Sequence, residues 1–257
     1  MIGAPANREL PYPELALRRL SKRFGAIVAL DDVTLDVNRG EVLALLGDNG
    51  AGKSTLINCI SGVHQPDSGT IELGGKLVEI RSPAEARKLG IETVYQDLAL
   101  FDNLGPSANF YAGRELAGPG WLPRGLQILR SREMNEITHS LLDRLRVTLP
   151  SYDAVIGLMS GGQRQAIAVA RATAFATHVV VLDEPTAALG VRETRQVLDL
   201  IVEMRNQDSA VILVTHNLDH VIEIADRAVV MRRGRKVGDT RPVPENRQQI
   251  VSMIVGA

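Results

Sequence analysis

The stretch "EVLALLGDNGAGKSTL", Glu41 to Leu56, decides the fold. Its first part, Glu41 to Gly47, is an apolar run without alternation, the pattern of a strand buried on both faces. The second part, "GDNGAGKST" from Gly47 to Thr55, fits G-x-x-x-x-G-K-[ST] and opens a helical pattern. Strand, glycine turn and helix form the context in which that spacing holds phosphate. Gly47, Gly50 and Gly52 let the backbone wrap, so that N–H groups around Asp48, Asn49 and Ala51 face phosphate oxygens. Lys53 reaches the β- and γ-phosphates, the Ser54 hydroxyl serves Mg²⁺, and Thr55 follows directly. The helix that starts near Lys53 adds the positive end of its dipole.

Four further apolar runs have the same character: "IETVYQ" (Ile91 to Gln96), "VVVLDE" (Val179 to Glu184), "AVILVTH" (Ala210 to His216) and "RAVVMRRG" (Arg227 to Gly234). Helical patterns such as "RETRQVLDLIVEMRNQ" separate most of them, which predicts an α/β core with a parallel sheet. The earlier runs "LALRRLSKRF", "ALDDVTLDV" and "GTIELGGKLVEI" alternate and carry turn signals, so an antiparallel β layer is expected beside the core. From Asp97 to about Gly157 the pattern is mostly helical, broken by the Gly/Pro-rich "GRELAGPGWLPRGLQ" (Gly113 to Gln127). The expectation is one domain over 1–257 with a helical subdomain inserted at about 97–160, and Trp121 packing locally within it.

Composition narrows the function classes. The 257 residues are 45% hydrophobic and 23% charged, with a formal net charge of -1. No global field favours nucleic acid or anionic lipid, and no basic patch dominates; "RRGRK" (Arg232 to Lys236) reads as a hairpin turn. The single Cys59 lies on an apolar helical face and reads as packing. No run approaches the ~18 apolar residues of a membrane helix, and the N-terminus lacks a signal-peptide layout. The reading is a cytosolic chain whose membrane role, if any, comes through a partner.

Ligands of open α/β sheets bind where the strands end. The ends here carry Gly47, Gln96, the pair Asp183–Glu184, and His216. Adjacent strand residues face opposite ways, so the two acids are expected to do different work. Asp183 suits Mg²⁺ through water and Glu184 suits a general base on the attacking water. The Gln96 amide suits Mg²⁺ or that water, and His216 suits the γ-phosphate. His216 and His220 have a metal-binding spacing, but no further His, Cys or HExxH pattern supports zinc. Downstream, "MSGGQRQAIAVARA" (Met159 to Ala172) puts Ser160, Gly161 and Gly162 at a helix N-terminus. Two readings stand: an anion cradle of hydroxyl and N–H groups, or a serine cap followed by flexible glycines.

In order, these motifs resemble the ATP-binding-cassette family over essentially the whole chain. "GDNGAGKST" resembles its Walker A, Gln96 its Q-loop, "MSGGQ" its signature, "VVVLDE" its Walker B and His216 its switch histidine. Phe24, in "SKRFG", sits where the family stacks an aromatic ring on adenine. The resemblance implies a P-loop NTPase core and an ATPase using ATP and Mg²⁺. It also implies a head-to-tail dimer, in which Ser160, Gly161, Gly162 and Gln163 cover the ATP of a second copy. "DEPTAALG" and "VYQDLALFDNL" further resemble single-cassette subunits of bacterial importers for fructose, ribose and other simple sugars. That branch implies a membrane permease, a periplasmic or extracellular sugar-binding protein, no nucleic acid, and a position on the cytoplasmic side of the cell membrane. An export cassette or one acting outside transport is the alternative. One departure is visible: the family's S-A-L-D after Walker B is here "AALG", Ala187 to Gly190, without the carboxylate.

Overall fold

A computed structural model describes residues 12–119, 128–145, 147, 149, 151–187 and 189–256. The first elements are an antiparallel pair, β1 (Leu15–Phe24) and β2 (Ile27–Val37), paired from Leu15↔Val37 to Phe24↔Ile27 with register shifts between Leu17 and Arg23. The buried strand β3 (Val42–Leu46) follows and leads through the glycine loop into α1 (Lys53–Ile60). Next come β4 (Ser68–Leu73), β5 (Lys76–Val78), α2 (Pro83–Lys88) and β6 (Ile91–Val94). The next segment holds α3 (Pro106–Phe110), a ribbon of β7 (Ala117–Gly118) and β8 (Ile128–Leu129), α4 (Ser131–Arg144) and a 3₁₀ turn at Ile156–Leu158. The remainder alternates: α5 (Gly161–Phe175), β9 (Val179–Asp183), α6 (Val191–Asn206), β10 (Ala210–Val214) and α7 (Leu218–Ile224). A hairpin of β11 (Arg227–Arg232) and β12 (Arg235–Thr240) precedes the last helix, α8 (Arg247–Val255).

The core sheet has six strands in the order β12-β11-β3-β10-β9-β6. Every neighbouring pair is parallel except β11–β12. All five apolar runs are therefore strands of one sheet, and "RRGRK" spans its hairpin turn. Each strand stops one or two residues short of its run, at Leu46, Val94, Asp183, Val214 and Arg232. The polar residues at the ends leave the ladder for the ligand edge. The alternating N-terminal runs form a second sheet, β2-β1-β4-β5, entirely antiparallel.

Period-two geometry splits the core strands between two apolar clusters. Ala210, Ile212 and Val214 of β10 join Leu43, Leu45, Val179 and Val181 under the antiparallel layer and α1. Val211 and Leu213 turn the other way, with Val180 and Leu182, onto α5, α6 and the buried face of α4 (Met134, Leu141, Leu142). Both faces are covered, which is why these strands carry almost no polar residues.

Buried charge rivets the layers at two points. Glu41 accepts from the Asn38 backbone N–H (2.7 Å) and from Arg227 Nε (2.7 Å). Arg227 also reaches Asp239 (3.1 Å) and the carbonyl of Asp36. On the opposite edge, Arg114 makes a two-pronged pair with Glu92 of β6 (2.8 and 3.1 Å) and lies 4.2 Å above the Phe175 ring. Residues 120–127, including Trp121, lie outside the described residues.

Candidate functional site

The glycine loop has the backbone its sequence demands. Gly47, Gly50 and Gly52 have φ of 149°, 77° and 103°, conformations that side chains strain. A Cβ at Gly47 would collide with the Met231 carbonyl, and one at Gly52 would lie 2.6 Å from the Ala29 carbonyl. The loop is thus pressed against β2 and β11 from behind, while Asp48, Asn49 and Gly50 face solvent. Lys53 Nζ folds back to donate to the carbonyls of Gly47 (2.6 Å) and Asp48 (3.0 Å). Ser54 is exposed on the first turn of α1, with Thr55 half-buried behind it.

The neighbouring strand ends bring the acids to this loop. Burial, and next the charge of Glu184, hold the Asp183 carboxyl above its ordinary range, with Lys53 opposing the rise. Asp183 is thus a desolvated oxygen donor within the field of Lys53. An exposed hydroxyl (Ser54), this carboxyl and neighbouring phosphate oxygens are the donor chemistry a Mg²⁺ ion takes. The residues present fit that ion. Among the described residues no cluster of three or more His, Cys, Asp or Glu offers an all-protein cage instead.

Glu184 lies beyond β9, not within it, so strand alternation does not separate the two acids as the sequence reading supposed. A left-handed backbone does so (φ 50°), fixed by the Glu184 N–H bonding to the Val214 carbonyl at 2.9 Å. Its Oε1 is 2.9 Å from Nδ1 of His216, whose side chain is 79% exposed. His220 faces elsewhere, toward Thr186 (3.3 Å) and Asn217 (3.2 Å), so the two histidines do not share a site. Gln96 stands exposed beyond β6. Phe24 ends β1 one hairpin turn from the strand that touches Gly52. Its ring is 43% exposed, edge-on to His64 at 5.1 Å, with Lys22 Nζ at 5.6 Å. Neither His64 nor Lys22 carried a sequence signal.

The structure shows the cap reading of Ser160 directly. Ser160 Oγ accepts from Gln163 N–H (3.2 Å), and Gln163 Oε1 accepts from Ser160 N–H (2.9 Å), a reciprocal cap on α5. This occupies Gln163, while Gly161, the first residue of α5, is exposed at the helix end, where N–H groups lack partners within the helix. The two glycines differ. A Cβ on Gly161 would meet nothing within 4 Å, whereas one on Gly162 would be 2.5 Å from Glu193 Cβ. Among the described residues, no hydrogen bond or ion pair joins 160–163 to the glycine loop, the acids or His216. Glu193 also lies across Gly190, filling space where a side chain at 190 would begin.

Three contacts escaped sequence reasoning. Arg171 of α5 donates to the carbonyls of Ala99 (3.1 Å) and Leu98 (3.2 Å), just past Gln96. Arg164 pairs with Asp102 at 3.6 Å. Asn109 of α3, fully buried, holds the backbone of 101–105. Cys59 behaves as its apolar neighbours suggested: burial pushes its thiol up to about 11, which suits packing and not nucleophilic chemistry.

Comparison with known proteins gives this arrangement its relatives. The family described as ABC transporter matches residues 30–187. The fructose import ATP-binding protein FrcA of Rhizobium meliloti is 44% identical over 246 residues, 95% of each chain. The xylose/arabinose import ATP-binding protein XylG of Sulfolobus acidocaldarius is 43% identical over 240 residues, 93% of each. Among solved structures, an ATP-binding cassette of an ABC transporter in its ADP conformation superposes with a TM-score of 0.79. It is 26% identical, over 95% of this chain and 98% of the other.

Proposed function

The chain belongs to the ABC transporter family, and from that premise we propose that it is the ATPase subunit of an importer for a monosaccharide. The observation that carries this is the meeting of Lys53, Asp183 and the Glu184–His216 pair at one edge of the sheet, beside an outward-wrapped glycine loop. FrcA and XylG are import proteins for fructose and for xylose and arabinose, which supports a simple sugar as cargo.

In this reading ATP lies with its phosphates along Gly47–Thr55 and its base against Phe24. Lys53 exchanges its two carbonyl bonds for phosphate oxygens. Ser54, Asp183 and Gln96 would hold Mg²⁺, and the ion when bound would supply neutralisation of charge on the phosphates. Glu184 takes the proton of the attacking water, and His216 steadies the γ-phosphate. Ser160 caps its own helix, and the exposed turn of Ser160 and Gly161 serves a second copy, head to tail, over whose nucleotide it closes. FrcA and XylG are import proteins, and among the described residues no helix is long and apolar enough to cross a membrane.

A permease is therefore proposed as partner, on the cytoplasmic side of the cell membrane, fed by a sugar-binding protein. A groove of about 400 Å³ beside the Gln96 loop, lined in part by Tyr95, Phe101, Arg114 and Arg171, suits its docking. The segment 97–160 would then move as a subdomain that carries closure from the nucleotide to the permease. The test is gentle affinity purification of this chain from its native membranes. A multi-spanning permease and a sugar-binding protein should accompany it, with ATP hydrolysis that Glu184→Gln abolishes. Wholly soluble or ribosomal partners would overturn the transport reading and leave the ATPase site standing.

A further inference from the structure

The loop 101–105 lies on the surface with Phe101, Asp102, Asn103 and Leu104 all exposed, so no apolar anchor of its own holds it. Its hold comes from beneath, from one amide. The side chain of Asn109 accepts from the Phe101 N–H (2.7 Å) and donates to the carbonyls of Phe101 (3.1 Å), Leu104 (3.2 Å) and Gly105 (3.1 Å). A buried amide satisfied on both its oxygen and its nitrogen specifies one backbone shape, because any other shape strands polar groups without water.

That shape is passed on. The Asp102 carbonyl accepts from Gly157 N–H (2.8 Å), and the Leu104 carbonyl accepts from Ile156 N–H (2.9 Å). The turn so held, Ile156–Leu158, ends directly before Met159 and Ser160, the cap of α5. From the far side, Arg164 of α5 returns to Asp102, and Arg171 holds the carbonyls just after Gln96. The Gln96 loop and the Ser160 turn are thus two ends of one plate.

We propose that Asn109 is a positioning residue for the Ser160 turn, setting where Ser160 and Gly161 stand against the nucleotide of a second copy. This rests on the dimer reading above. It acts through the backbone of 101–105 and 156–157.

The test compares full-length Glu184→Gln, the parent that retains ATP, with the same chain carrying Asn109→Ala. ATP binding is measured by equilibrium dialysis at dilute, monomeric concentration, and ATP-dependent dimerisation by sedimentation velocity. ATP affinity of the monomer should stay within about twofold of the parent. The dimer should weaken by at least about tenfold, since a misplacement of ~1 Å in such a site costs on the order of 100-fold. Gly157→Ala disturbs the same contact from the exposed side, where a Cβ would sit 3.1 Å from the Asp102 carbonyl oxygen, and needs no change in the core. It should give the same split, and decides the matter if Asn109→Ala fails to fold. If the parent dimerises and the folded variants dimerise equally well, the positioning role is overturned alone. If the parent stays monomeric with ATP, the dimer reading falls and the proposal with it.

Discussion

Replacing Gly161 and Gly162 by alanine, one at a time, inserts the same methyl into two different surroundings. At Gly161 the ideal Cβ meets nothing within 4 Å, and its φ lies outside the left-handed region. Helix propensity alone then stabilises the free chain, by up to about 1 kcal/mol. At Gly162 the same gain is opposed by contact with Glu193, whose Cβ would be 2.5 Å away. Overpacking of that kind costs about 1–3 kcal/mol, for a net loss of about 0–2 kcal/mol. At about 2–4 °C per kcal/mol for a chain of this size, the melting point should rise slightly for Gly161→Ala and fall by up to about 8 °C for Gly162→Ala. Turnover should follow a different order. If the space outside Gly161 is where a second copy's phosphates arrive, the methyl pushes them off the helix N–H groups. Losing one such donor costs on the order of 10²–10³ in rate. Steady-state ATP hydrolysis at saturating ATP, read beside calorimetric melting, checks both. A Gly161→Ala protein that is no less stable yet about 100-fold slower supports the reading. Wild-type turnover in Gly161→Ala would refute it, because nothing then approaches the turn from outside.

Asp183→Asn tests the electrostatics of the strand-end site. Burial and the charge of Glu184 raise the Asp183 carboxyl in the folded chain, so between its ordinary value of 3.8 and the raised one the native state holds more protons than the unfolded state. Stability must fall as pH rises through that window, and the asparagine variant should be at least as stable as wild type at neutral pH without divalent cations, with a flatter profile in melts from about pH 4 to 8. Cys59, fully buried with its thiol at about 11, should resist a disulfide reagent in the native chain at about pH 8, where about one thiol in a thousand is ionised, and react fully in denaturant. Arg227→Met strands the buried Glu41 carboxylate and should cost about 3–5 kcal/mol in denaturant titration.

What the sequence made legible follows the range of each signal. The glycine loop, the five buried strands and the serine cap are local: a strand's run, a helix start and a turn residue lie within about ten positions of one another. Glu184 was found as a residue but not in its conformation, because a left-handed backbone held by a bond to Val214 depends on a strand thirty residues away. Gly161 and Gly162 look equivalent until α6 brings Glu193 against one of them. Asn109, Arg171 and the Glu92–Arg114 pair were missed for the same reason. Each is a polar side chain reaching a carbonyl or carboxylate across the fold, and such contacts have no period to read.

The bond between Glu184 and His216 sets an order of events. A neutral imidazole that gives its Nδ1 proton to Glu184 keeps only a lone pair on Nε2, and a lone pair cannot donate to a phosphate oxygen. Glu184, while it holds that proton donor, has one oxygen fewer for water. For a neutral ring the two roles exclude each other in time. Under the proposed mechanism the imidazole must let go of its acid or take up a second proton before its Nε2 can donate to a phosphate oxygen.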